Sequence, residues 1–240
     1  MSGFFGCITK SDCVMDVFYG TDYHSHLGTK RAGMAIFGQN KGFQRAIHSL
    51  EDGYFRNKFE NDIKSFEGNI GIGVISDKEA QPILVNSHMG RFAIATVGRI
   101  NNAVELEKKF MQQRHTFSET SQGSVNPTEL VAKLIAECDD FISGIKNVFE
   151  NINGSCSILI LCNDKIIAAR DKLGRTPVVI GTKKDACAAT FETTAFPNLG
   201  FTTSYFVGPG EIIELTADGY RQVSPPLEKT QICAFLWIYY

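Results

Sequence analysis

The chain has 240 residues, 24 Lys+Arg against 26 Asp+Glu, and 43% hydrophobic content. That length suits one large domain or two small ones, with a core that needs no covalent staples. A formal charge of −2 lacks the basic excess of a nucleic-acid binder, 18 Phe exclude a disordered composition, and no apolar run approaches the roughly 18 residues of a membrane span.

Taken in order, residues 3–9 (GFFGCIT) read as a short buried strand. Ser11 is placed to cap a helix over 12–19, with Val14, Val17 and Phe18 on one face. Strands follow at 33–37, 43–48, 70–75, 82–86 and 90–97, each short and bounded by Gly, Pro or Asn. Helical spacing then covers 102–114. A second helix starts at Asn126, with Pro127 in the first position and Glu129 three residues after the cap, and runs to about Cys138. A third spans 141–150. The back half returns to strands at 155–162, 165–170, 177–181, 210–216 and 220–223, the last two joined by a hairpin signal at Ala217-Asp218-Gly219. Strands, helices, then strands indicate an α+β domain with two sheets and helices outside. The final nine residues, ICAFLWIYY, are apolar and β-prone. They read either as a last buried strand or as the boundary to a further domain.

Seven cysteines, an odd number with no C-x-x-C pair, read as reduced thiols, and Met1–Gly6 has no signal-peptide pattern. Both point to the cytoplasm. No phosphate loop or dinucleotide fingerprint is present. His24 and His26 stand two apart rather than four, so no zinc helix is expected. Asp139-Asp140 reads as a solvated helix end rather than an acid/base dyad. Ser2 is the one chemically suggestive position. Removal of Met1 would give it a free α-amine, able to serve as the hydroxyl's own base near neutral pH.

Ser2-Gly3-Phe4-Phe5-Gly6 resembles the opening Cys-Gly-Ile-x-Gly of the class II glutamine amidotransferases, N-terminal-nucleophile hydrolases that release ammonia from glutamine. The likeness continues in order. His26–Gly33 is similar to H-R-G-x-x-x-A-G, Gly68–Gly73 to G-N-x-G-I-G, and Glu79–Pro82 to E-A-Q-P. Val97-Gly98 falls on the second and third residues of H-N-G, and Asn126–Glu129 on S-D-[ST]-E. Arg170–Gly181 resembles R-D-x-x-G-x-R-P-L-x-x-G, and Pro209-Gly210-Glu211 a late P-G-E turn. The series most resembles the amidotransferase domain of amidophosphoribosyltransferases of purine synthesis. There, a segment like Cys233–Tyr239 leads into a phosphoribosyltransferase domain.

The resemblance implies a four-layer αββα sandwich of two antiparallel sheets. It implies one domain over 1–240, with Ile232–Tyr240 as the boundary to a downstream phosphoribosyltransferase-like domain or partner chain. It carries no cofactor for this domain, no nucleic-acid or membrane partner, and a small-molecule ligand such as glutamine; a homo-oligomer is compatible. The nucleophile position is Ser2, where the family has Cys, and Gly98 keeps one oxyanion-hole backbone N–H. The other family positions depart. The Arg of H-R-G is Leu27, the oxyanion-hole Asn is Val97, and the Asp that holds the glutamine amine is Pro127. No Arg lies near Val74–Asp77, where the α-carboxylate would be gripped. Losing one oxyanion donor costs about 10²–10³ in rate, and a bidentate cation is hard to replace. These substitutions predict a degenerate glutaminase. Two alternatives stand beside it: a non-catalytic regulatory or oligomerisation module, and an N-terminal-serine amide hydrolase using Ser2. Arg31 and Arg99 read as surface residues.

Overall fold

The computed structural model describes residues 2–121, 123–234 and 238. The chain opens with β1 (Ser2–Thr9) and α1 (Val14–Asp22), then the hairpin β2 (Arg31–Gly38) and β3 (Gly42–Ser49). Two short helices, α2 (Phe55–Phe59) and α3 (Asp62–Ser65), lead to β4 (Ile70–Ser76), β5 (Ile83–Ser87) and β6 (Gly90–Ile100). Next come α4 (Ala103–Gln112), the small pair β7 (Thr120–Ser121) and β8 (Ser124–Val125), α5 (Pro127–Ala136) and α6 (Phe141–Asn151). The remainder is β9 (Gly154–Leu161), β10 (Ile166–Ala169), β11 (Val179–Lys183), β12 (Ala186–Thr190), α7 (Ala195–Leu199), β13 (Thr202–Phe206), β14 (Ile212–Thr216) and β15 (Gly219–Ser224).

The main strands form two antiparallel sheets. One runs β13-β11-β12-β1-β4-β2-β3, the other β15-β14-β10-β9-β6-β5. Alternation along each strand divides the core into three layers, because successive side chains face opposite sides of a sheet. Along β1, Phe4 and Ile8 enter the core between the sheets, and Phe5 and Cys7 the core beneath α1, α2 and α7. Along β6, Ala93, Ala95 and Val97 face inward, and Phe92 and Ile94 face α4, α5 and α6. The order is therefore helices, sheet, sheet, helices. Strands buried on both faces read as continuous apolar runs such as IGIGVI or SCSILILC.

Several expectations need correction. Ser11 does not cap α1; the helix begins at Val14, whose N–H is accepted by Asp12 Oδ1 at 2.9 Å. Asn126 does cap α5, its Oδ1 accepting from Thr128 N at 3.0 Å. Glu129 does not complete a capping box. It turns to the backbone N–H groups of Ser118 and Glu119 instead. Asp140 is a solvated helix end, as read from the sequence: it is exposed and serves as the N-cap of α6, accepting from Ile142 N (2.8 Å) and Ser143 N (3.0 Å). Strands β12 and β13 and helices α2, α3 and α7 have no counterpart in the sequence reading. The expected buried last strand fails at Ile232, which is 71% exposed. Phe235–Trp237, Tyr239 and Tyr240 lie outside the described residues.

Candidate active site

Ser2 opens β1, opposite Ser76 at the end of β4, and is half-buried. Its Oγ donates to Ser76 Oγ at 3.3 Å. Ser76 is 1% exposed and accepts from the backbone N–H groups of Lys78 (3.2 Å) and Glu79 (3.1 Å). Its own hydroxyl donates to Glu79 Oε2 at 2.8 Å. A directed hydrogen-bond chain therefore runs from Ser2 through Ser76 to a carboxylate. Arg31 stands opposite Ser76 on β2, so Ser2, Ser76 and Arg31 share one face over two strand spacings, about 10 Å. Arg31 is exposed, and so is Arg99.

The positions to which the sequence resemblance assigns substrate binding hold apolar side chains. Leu27 and Val97 are each 3% exposed, and both belong to the core between the sheets together with Phe4 and Phe191. A Cβ placed on Gly3 would lie 2.7 Å from Leu27 Cδ1 and 2.7 Å from His24 Cδ2, so Leu27 and His24 close tightly over the start of β1. Pro127 occupies the first turn of α5 and offers no polar side chain. At the end of the Val74–Asp77 segment, which has no Arg, Asp77 Oδ1 accepts from Thr29 N at 2.9 Å.

Gly98 is exposed, with φ +144, a conformation that L side chains rarely adopt. A Cβ there would come within 2.1 Å of Ser155 O on β9. Glycine at this position is thus required by the β6–β9 pairing, whatever its N–H does.

Cys7 is not a substitute nucleophile. It is fully buried on the helix-facing side of β1, and burial pushes its thiol pKa well above the ordinary value, with Cys13 and Asp16 adding to the shift. His24 is also fully buried. Its Nδ1 lies 2.8 Å from Gly20 O, which can only accept, so Nδ1 carries the proton and Nε2 faces Thr190 Oγ1 at 3.2 Å. Burial lowers its pKa to about 4, and the imidazole is neutral near pH 7. His26, by contrast, is exposed and meets the buried Glu192 at 3.1 Å. Sequence reasoning placed His26 in this region through the H-R-G-like segment but not His24, whose partners, Gly20 O and Thr190 Oγ1, come from α1 and the end of β12.

The polar residues of the other motifs hold backbone. Gln81 is 2% exposed; its Oε1 accepts from Thr96 N (2.8 Å) and Thr128 Oγ1 (3.1 Å), and its Nε2 donates to Thr96 O (3.0 Å). Asp171, 1% exposed, accepts from Leu173 N and from Thr176 N and Oγ1. Glu211, fully buried, accepts from Tyr205 OH, Gly208 N and Gln222 Nε2.

Residues 69–197, more than half of the chain, match the glutamine amidotransferase domain family. The amidophosphoribosyltransferase of Methanocaldococcus jannaschii is 30% identical over 226 residues, covering 90% of this chain and 47% of its own. That of Bacillus subtilis is 27% identical over 251 residues, covering 99% and 51%. The solved glutamine phosphoribosylpyrophosphate amidotransferase of B. subtilis matches with a TM-score of 0.86 at 26% identity, over 98% of this chain and 52% of that one. The chain spans about half the length of the curated relatives it matches. It belongs to the glutamine amidotransferase domain family.

Proposed function

From that membership, we propose that this chain is the amidotransferase-like part of an amidophosphoribosyltransferase-like protein of purine synthesis, and that its own glutaminase chemistry has been lost. The observation that carries this reading is the burial of Leu27 and Val97 in the core between the sheets, beside Phe4 and Phe191. A glutamine zwitterion needs a cation, an anion and a carbonyl polariser, and an unpaired charge placed against such a wall is strongly disfavoured. One lost oxyanion donor removes about 10²–10³ in rate, and Ser is a weaker nucleophile than Cys. Together these place glutamine hydrolysis below useful levels. The transfer chemistry then belongs to a phosphoribosyltransferase-like domain, fused after Tyr240 or carried by a partner chain. It would run on free ammonia or on ammonia supplied separately. The setting we propose is cytoplasmic; among the described residues, no helix is long and apolar enough to cross a membrane.

A second reading, an N-terminal-serine amide hydrolase, draws on the Ser2–Ser76–Glu79 chain and on Arg31 two strands from Ser2. One experiment separates the two. Ammonia release from glutamine is measured for the wild type, Ser2→Ala and Ser2→Cys, with Met1 removal checked by intact mass. We expect no release from any form, Ser2→Cys included. Release that disappears in Ser2→Ala would establish a rebuilt site and sink the degenerate reading.

A further inference from the structure

The end of the sandwich remote from Ser2 carries a cavity of about 620 Å³, within the usual size range of small-molecule sites. Strand register fixes its distance. Ile8 and Phe37 both stand opposite Ile70, so this end lies six strand residues from Ser2, about 20 Å. Three strand turns and the start of α6 converge on it. The β2–β3 hairpin contributes Phe37 and Phe43, the β5–β6 hairpin Met89 in its turn and Arg91 at the start of β6, the β9–β10 turn Asp164, and α6 Phe141.

The lining has two parts. Phe37, Phe43, Met89 and Phe141 are all half-buried, and the first two rings pack 4.9 Å apart between centroids. They are packed against the core yet keep surface for the cavity. The charged part is less usual. Lys165 is already held by Glu214 at 3.1 Å. Arg91 is exposed, and its Nε donates to a neutral acceptor, Asn86 Oδ1, at 2.7 Å. Among the described residues it has no carboxylate within ion-pair distance, and Asp164, also exposed, has neither an ion pair nor a hydrogen bond. The cavity thus presents one uncommitted cation, one uncommitted anion and an aromatic floor. A lone cation would suit an anion. Two opposite charges that do not pair with each other suit a ligand that carries both.

We propose that this cavity binds a free aromatic α-amino acid. Its carboxylate would sit on Arg91, whose planar guanidinium is suited to carboxylate recognition. Its ammonium would sit on Asp164, and its ring among Phe37, Phe43 and Phe141, where edge and offset contacts between aromatic rings are favourable. The site is separate from Ser2, and its occupancy does not depend on whether the glutaminase chemistry survives.

The test is calorimetric titration of the 240-residue protein with L-phenylalanine, phenylacetate (which lacks the ammonium) and phenethylamine (which lacks the carboxylate). We expect saturable millimolar or tighter binding of phenylalanine, with each truncated ligand weaker by about tenfold or more, since each loses one charge-assisted contact. Arg91→Met should weaken phenylalanine by about tenfold while sparing phenethylamine, and Asp164→Asn should do the same while sparing phenylacetate. Phenylacetate binding as tightly as phenylalanine overturns the zwitterion assignment. Absence of phenylalanine binding, or binding indifferent to both substitutions, overturns the site. The ligand comparison needs no variant, so a misfolded substitution leaves the test intact.

Discussion

His24 ties the fold's stability to pH in a calculable way. Its ring is fully buried, and burial holds its pKa at about 4 instead of 6.5. The geometry would accept a second proton, because Nε2 faces a hydroxyl; what opposes protonation is the loss of hydration. The folded value is depressed, so the unfolded chain binds the proton first as pH falls. The histidine's contribution is therefore complete above about pH 6.5 and is lost as pH drops towards 4. Between about pH 7 and about pH 4.5, linkage gives a loss of about 2 kcal/mol from this one group. Buried carboxylates add their own pH dependence, so the useful quantity is a difference. Urea unfolding of the wild type and of His24→Gln, followed across that window, should give a shallower pH dependence for the variant by about 2 kcal/mol. The variant will also lose packing against Gly3, which shifts its curve without changing its slope. Parallel curves for the two proteins would refute the assignment of a neutral, buried imidazole.

Gly98→Ala should destabilise by about 3 kcal/mol or more, because the added Cβ meets Ser155 O at 2.1 Å in a left-handed backbone. Gly90→Ala, also at positive φ but with nothing within 4 Å, should cost only about 1 kcal/mol; calorimetric melting of the pair separates clash from conformation. Asp140→Ala removes the acceptor for two first-turn N–H groups of α6 and should cost about 1 kcal/mol by urea unfolding, with Asp140→Asn recovering most of it.

The fold was legible where two faces of a strand are buried. Runs such as IGIGVI and SCSILILC can only sit between layers, and they do. β12 was missed because Ala186–Thr190, ACAAT, has little intrinsic strand preference. It is a strand because β1 and β11 pair with it on either side, and small side chains let the two cores approach there. β13 was missed for the opposite reason. Thr202, Thr203 and Ser204 are exposed on a sheet edge, where no hydrophobic pattern is imposed. Ser11 and Glu129 carried the right residue type for caps, but a sequence neighbour took the first role and a tertiary partner drew Glu129 from the second. Asp12 lies closer to the first helical N–H, and the 118–119 backbone needed an acceptor. In the candidate site, Ser2, Leu27 and Val97 could be named from sequence, but their burial and the Ser76–Glu79 chain could not. Those depend on β1, β4 and β6 meeting in space.

The positions that match the family's motifs and the positions that depart from them differ in kind. Gln81 ties the residue before Pro82 to β6 and α5, Asp171 folds the 171–176 loop, Glu211 gathers three donors from the 205–222 region, and Gly98 permits the β6–β9 pairing. Each is a buried polar group or a strained glycine whose replacement would leave unpaired donors or a backbone clash, at a cost that threatens a marginally stable domain. Leu27, Val97 and Pro127 are the positions that the resemblance assigns to substrate recognition, and as apolar side chains two of them add to the core. On the proposed reading such changes are free to accumulate, because they stabilise or leave untouched the sandwich that contains them. Likeness across the whole chain therefore reports the sandwich. Activity turns on the few positions where stability and chemistry favour different residues.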